Sequence, residues 1–230
     1  MYNAEMLPPI SEIQEKKLPC IVVYDTSASL RGFEQAIREG LQALKDAIGD
    51  DDMARAKVDL ALIEFNSHAE VKQNFTLAAN MEVPAVNCNG ATATHEAIQL
   101  AIEMVEARKQ QYKDAHVAYD QPWIWLITDG QSNDRDNGSF RKLLEMQKNK
   151  KCVFYGVAMG PEAVPGELTA MHKNNICFRT SKDGFREVFE YISQSMSNAS
   201  SPNPVYATEM ETPDEDSGIE VLRGKKMISL

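Results

Sequence analysis

Asp25, Ser27 and Ser29 occupy alternate residues of the stretch Asp25-Thr26-Ser27-Ala28-Ser29, one carboxylate and two hydroxyls with no sulfur or imidazole between them. Hard oxygen donors of this kind suit Mg²⁺, Mn²⁺ or Ca²⁺ rather than zinc or copper. Three such donors hold a divalent ion weakly, so the chemistry requires more oxygen ligands from elsewhere in the chain. Two stretches offer them. Thr92 lies in Asn89-Gly90-Ala91-Thr92-Ala93-Thr94, just after a glycine that loosens the backbone. Asp129 closes the run Trp123-Ile124-Trp125-Leu126-Ile127-Thr128-Asp129-Gly130.

The elements that must position these residues are written in the apolar pattern. Leu18-Pro19-Cys20-Ile21-Val22-Val23-Tyr24 is too short for a buried helix and rich in β-branched residues, so it reads as a core strand ending at Asp25. Phe33, Ala36, Ile37, Gly40, Leu41 and Leu44 then recur at helical spacing, which makes residues 25–29 a strand-to-helix loop. Thr92 precedes a helix marked by Ala97, Leu100, Ala101, Met104 and Val105, and Asp129 ends a strongly apolar strand. All three stretches therefore fall at the carboxyl edge of one sheet, where open α/β folds bind their ligands. Taken singly, each has a plainer reading: Asp25, Ser27, Ser29 and Thr92 as helix caps or turn residues, and Asp-Gly as a turn. The joint pattern is more specific than any of its parts.

Asp25, Ser27, Ser29, Thr92 and Asp129, in this order, resemble the metal-ion-dependent adhesion site of von Willebrand factor A domains, whose pattern is Asp-x-Ser-x-Ser, then a Thr, then an Asp. The resemblance covers residues 18–197. It implies an α/β, Rossmann-like doubly wound sheet, mainly parallel with one antiparallel edge strand and with helices on both faces. It also implies a divalent cation, Mg²⁺ in the first place with Mn²⁺ or Ca²⁺ as alternatives. Ser27, Ser29 and Thr92 would touch the ion directly, Asp25 and Asp129 partly through water, and a partner protein's Asp or Glu would complete the shell. In that reading no residue is catalytic.

Within the family, Pro122-Trp123 before the Thr-Asp-Gly strand, the run Cys152 to Gly160, and Phe185-Arg186-Glu187-Val188-Phe189 are similar to the cytoplasmic bacterial tellurium-resistance (TerY) type. That branch implies a stress-response operon whose phosphatase-like or kinase-like proteins are candidate partners. The sequence departs from the family pattern at Ala28 and Ala91, where glycine is common, and at Leu30, where methionine often follows. No oxygen ligand is lost, but the alanines tie affinity to whether those loops need glycine dihedrals.

Two other functions compete. A metal-dependent phosphohydrolase also uses an Asp at a strand end, but usually with a second Asp two residues on, where this chain has Ser27. No Gly-x-Ser-x-Gly elbow or phosphate-binding Gly-x-x-x-x-Gly-Lys-Ser/Thr loop is present either. The other alternative is a scaffold of the same fold that binds partners without metal.

Composition narrows the setting. A net charge of −10 argues against nucleic-acid binding, which needs Lys and Arg to displace counterions. The four cysteines, Cys20, Cys88, Cys152 and Cys177, are widely spaced, which fits reduced thiols in a cytoplasmic protein. Residues 1–17 lack the charged-then-apolar order of an export signal, and no apolar run approaches the roughly 20 residues that span a bilayer.

The expected layout is an extension (1–17), one domain (18–197), and a flexible acidic tail (198–230) with an apolar and basic end, either a docking peptide or a loose terminus. Gly49-Asp50-Asp51-Asp52 reads as a turn, and Val58 to Phe65 with Glu70 to Phe75 as an edge hairpin. His95 reads as a solvated helix residue, Asp134 and Asp136 as an acidic rim or second cation site, and Trp123 and Trp125 as core.

Overall fold

The computed structural model describes residues 16–160, 163, 165–181, 184–201, 213 and 217–223. Seven strands, β1 (Leu18–Asp25), β2 (Val58–Phe65), β3 (Ala69–Leu77), β4 (Trp123–Thr128), β5 (Val153–Met159), β6 (Ile176–Thr180) and β7 (Glu220–Arg223), form one sheet in the order β3-β2-β1-β4-β5-β6-β7. The five central strands are parallel; β3 runs antiparallel to β2 and β7 antiparallel to β6. The helices are α1 (Glu34–Asp50), α2 (Asp52–Lys57), α3 (Thr94–Asp114), α4 (Ser139–Lys148), α5 (Pro165–Met171) and α6 (Phe185–Ser200).

Strand alternation divides the apolar residues between two cores. Cys20, Val22 and Tyr24 of β1 join Leu41, Leu44, Phe189 and Ile192 of α1 and α6 on one face. Ile21 and Val23 join Ala101, Met104, Leu143 and Leu168 of α3, α4 and α5 on the other. With both faces covered, β1 and β4 can be apolar throughout, as their sequences are. Trp125 sits in the first core, its ring centroid 4.7 Å from that of Tyr155 and 6.4 Å from that of Phe178. Both tryptophans are buried, in agreement with their reading as core.

Helices α1 and α6 cross closely because Gly40 leaves room for a ring. A Cβ at Gly40 would lie 2.4 Å from Phe189 Cδ2 and 3.2 Å from the Phe185 carbonyl oxygen. Overpacking costs about 1–3 kcal/mol, more than most of the ~1 kcal/mol that alanine gains over glycine within a helix. Gly40→Ala is therefore expected to lower the urea midpoint at an unchanged m-value.

Two regions differ from expectation. Gly49 and Asp50 close α1 rather than forming a turn, and Asp51 opens α2 by accepting the Met53 and Ala54 amides at 2.9 Å each. A carboxylate satisfying two free amides lets a new helix start one residue after the last one ends. The second difference lies in the tail. Helix α6 continues to Ser200, and Glu220–Arg223 returns as β7, adding a second antiparallel edge. Burial of Ile219 and the packing of Val221 and Leu222 against opposite cores account for its pairing with β6. The remaining expectations for residues 1–15, and for most of residues 202–230, fall outside the described residues.

Candidate metal site

The connection from β1 leads to β2 on one side, whereas β4 lies on the other, so the sheet changes direction between β1 and β4. A crevice opens at such a point beyond the carboxyl ends of the strands. Tyr24 pairs with Ile127, which sets Asp25 beside Thr128 one step further along. Thr128 Oγ1 donates to Asp25 Oδ2 at 2.5 Å, and the Ser27 amide donates to Asp25 Oδ1 at 2.7 Å. The Ser27 and Ser29 hydroxyls are 3.0 Å apart, and Ser29 Oγ donates to Asp129 Oδ1 at 2.7 Å. Asp25, Ser27, Ser29 and Asp129 thus form one connected cluster. Thr92, which precedes α3, comes next to the residue after Asp129: its Oγ1 lies 3.4 Å from where a Cβ on Gly130 would stand.

Backbone bonds hold the loops in place. The Thr26 amide donates to the Phe65 carbonyl at 2.8 Å, the Asn89 amide to the Thr26 carbonyl at 2.8 Å, and the Ala28 amide to the Gly90 carbonyl at 3.2 Å. Gly90 has φ +75°, and a Cβ there would come within 2.4 Å of Ser67 Oγ, the atom that accepts the Ala91 amide. Here glycine is required on both counts. Ala28 and Ala91, by contrast, are not among the residues with positive φ. The alanines that replace glycine in the family pattern therefore introduce no left-handed strain.

The electrostatics are those of a site short of positive charge. Asp25 is fully buried and Asp129 is 4 % exposed. Burial, joined by the like charge of Asp129, pushes the Asp25 carboxyl up to about 6, against the hydrogen bonds from Thr128 and Ser27 that favour its ionised form. Ser29 is exposed while Ser27 and Thr92 are buried, so the cluster meets solvent at Ser29. The donor set of Asp25, Ser27, Ser29 and Asp129, with Thr92 close by, fits a divalent cation: two carboxylates balance its charge, and every donor is a hard oxygen. Among the described residues no group of three or more His, Cys, Asp or Glu side chains is placed to hold an ion, so an ion here has to draw on hydroxyls beside the two carboxylates. The four cysteines are buried and free, and Cys88, beside Asn89, is pushed up to about 12 chiefly by burial.

Sequence reasoning missed Thr128, which fixes Asp25. Its position before Asp129 was visible, but which strand lies beside β4 was not. The loop after Asp129 also differs from expectation. Asp134 accepts the His95 and Glu96 amides at 3.1 and 2.9 Å, so its carboxylate caps α3 instead of joining a second cation site. Asp136 remains exposed at the rim. His95 is 8 % exposed and stacks on Phe140 at 3.8 Å between centroids, so it is not a solvated residue.

A doubly wound sheet with a cluster of carboxylates and hydroxyls at its switch point defines a class of α/β domain. Residues 20–195 match the model of the von Willebrand factor type A domain, and the chain belongs to that family. Among solved structures, the von Willebrand factor type A protein from Catenulispora acidiphila is 15 % identical at TM-score 0.61, covering 80 % of this chain and 43 % of its own. The vWF domain of the type V pili tip protein Mfa5 from Porphyromonas gingivalis is 13 % identical at TM-score 0.61, covering 84 % and 99 %. Proximal thread matrix protein 1 of the mussel byssus, in a form with a zinc-occupied MIDAS motif, is 15 % identical at TM-score 0.53, covering 80 % and 48 %. This chain spans less than half the length of the first such structures. A search of curated proteins found no match. Among the described residues, no helix is long and apolar enough to cross a membrane.

Proposed function

We propose that this chain is a metal-dependent protein-interaction domain that binds a partner's Asp or Glu through a divalent cation held by Asp25, Ser27, Ser29, Thr92 and Asp129. The observation that carries this reading is the Ser29–Asp129 hydrogen bond of 2.7 Å, which joins loops 100 residues apart into one oxygen cluster. Two carboxylates neutralise a divalent charge while the hydroxyls add only dipoles, so the bound ion retains affinity for a further carboxylate. Mg²⁺ fits this set first, with Mn²⁺ or Ca²⁺ as alternatives; the mussel protein's zinc-occupied motif adds Zn²⁺ to the ions worth titrating.

The surroundings favour a polar partner. Asn87, Asn89 and Gln131 are exposed on the loops beside the cluster, and Met53 is the exposed large hydrophobic among the described residues. A partner held this way gains its affinity from the ion and from hydrogen bonds. The similarity to the tellurium-resistance type supports a cytoplasmic stress-response setting with phosphatase-like or kinase-like partners. We assign the chain no catalytic role, since Ser27 stands where a phosphohydrolase of this topology needs its general acid.

Calorimetric titration of Mg²⁺ and Mn²⁺ into metal-stripped protein tests the site. Saturable binding is expected in the wild type and is expected to vanish in Asp25→Ala and Asp129→Ala variants that remain folded. Flat titrations at millimolar metal would overturn the reading. Phosphatase activity lost in Asp25→Asn would replace it with the enzymatic one.

A further inference from the structure

The loop that follows Asp129 is fastened to the start of α3 at several points. Asn133 Oδ1 accepts the Thr92 amide at 2.8 Å, and the Asn133 amide donates back to the Thr92 carbonyl at 3.1 Å. Asp134 accepts the amides of His95 and Glu96 in the first turn of α3 and receives the Ser132 hydroxyl at 2.6 Å. Asn137 Nδ2 donates to the His95 carbonyl at 3.1 Å. From the other side, Glu167 of α5 accepts the Ser132 amide at 2.9 Å.

From this we infer that Asn133, backed by Asp134, is a positioning residue that sets Thr92 against Asp129 before any ion arrives. The inference rests on the metal-dependent reading above and concerns how that site reaches its affinity.

Asn133 acts on the Thr92 hydroxyl through the backbone. A threonine has few χ1 choices, so the place of its hydroxyl follows from the place of its main chain. Thr92 and Asp129 come from loops that are distant in sequence, and each of the two Asn133 bonds fixes one loop against the other. Without them, the ion itself would have to draw the loops together, and the ordering free energy would subtract from binding. Thr92 is 5 % exposed, so its amide also needs the acceptor that Asn133 supplies. Asn133 is exposed, and truncating its side chain leaves both cores intact.

The experiment is Mg²⁺ calorimetry on the full metal-stripped chain, comparing wild type, Asn133→Ala, Asn133→Asp, Thr92→Ala and the Thr92→Ala/Asn133→Ala double variant. Loss of a residue that orients a ligand typically weakens a metal site about tenfold or more, and Asn133→Ala is expected to do so. Asn133→Asp keeps the acceptor for the Thr92 amide and is expected to bind at least as tightly as wild type. In the Thr92→Ala background, removing Asn133 is expected to change affinity by less than about twofold, because its effect passes through the missing hydroxyl. Multiplying losses in the double variant would point to general destabilisation and overturn the inference. So would an Asn133→Ala affinity within about twofold of wild type. Absence of saturable binding in the wild type would remove the site itself, a failure distinct from that of Asn133 alone.

Discussion

Asp25→Asn is expected to raise the stability of the metal-free chain at neutral pH while abolishing its response to divalent cations. An unfolded Asp titrates near 3.8 and the folded Asp25 at about 6. The folded state therefore binds more protons between these values. The stabilising contribution of the protonated carboxyl is fully present below pH 3.8 and is lost as pH rises through about 6. The rise from 3.8 to about 6 corresponds to about 3 kcal/mol, an upper figure for the cost of keeping this buried carboxylate ionised without a cation.

Asparagine retains the shape and an acceptor for the Ser27 amide, and it carries no charge. In metal-free buffer, wild-type stability should fall between pH 4 and pH 7 by an increment that the variant lacks. Adding the cation should restore the wild type by mass action, by about 2.7 kcal/mol at a hundredfold excess over Kd, and leave the variant unmoved. Denaturation midpoints measured across pH with and without Mg²⁺ check both halves. Parallel pH profiles for the two proteins would show that Asp25 is not the group under strain.

The second large effect lies at the opposite end of the sheet. Asp59, at the start of β2, is 3 % exposed; it accepts Arg108 Nε of α3 at 2.7 Å and the Tyr112 hydroxyl. Arg108, 4 % exposed, also donates to Gln111 Oε1 at 2.7 Å, and its guanidinium lies 5.5 Å from the Phe75 ring centroid and 5.2 Å from that of Tyr112. Arg108→Met leaves the Asp59 charge buried without its cation, and such a loss costs about 3–5 kcal/mol. The Asp59→Leu/Arg108→Met double variant removes both charges, and should recover much of that loss by burying apolar groups in their place. Urea denaturation of the two single variants and the double measures the coupling. Mg²⁺ affinity should stay unchanged in every folded member of the set, because this cluster lies at the amino ends of the strands and the oxygen site at their carboxyl ends.

The elements that carry the candidate site were legible because local rules govern them. Leu18 to Tyr24 and Trp123 to Thr128 are strands buried on both faces, and such strands must be apolar without a break. The loops after them carry Asp25, Ser27, Ser29 and Asp129, which the fold brings into one hydrogen-bonded cluster; that the cluster holds an ion is the proposal above. Gly90 was legible in part: a glycine before Thr92 permits the positive φ that the fold then imposes, while its close approach to Ser67 was not legible. The Asp51 cap was equally local. Read as part of a turn, it was mistaken because one acidic residue ends one helix and starts the next.

What the sequence determined by itself was the kind of sheet, the chemistry of the donors and the order in which the chain delivers them. Tertiary structure alone decided that β4 lies beside β1, which puts Thr128 on Asp25 and Ser29 on Asp129. It also decided that Asp134 caps α3, that His95 is buried against Phe140, and that residues 220–223 close the sheet as β7. Those outcomes join residues some 40 to 100 positions apart, and no periodicity in a chain records which distant segment will supply a neighbour. Packing of the two cores makes that choice, because this strand order buries both apolar faces and leaves the charged loops together at one edge.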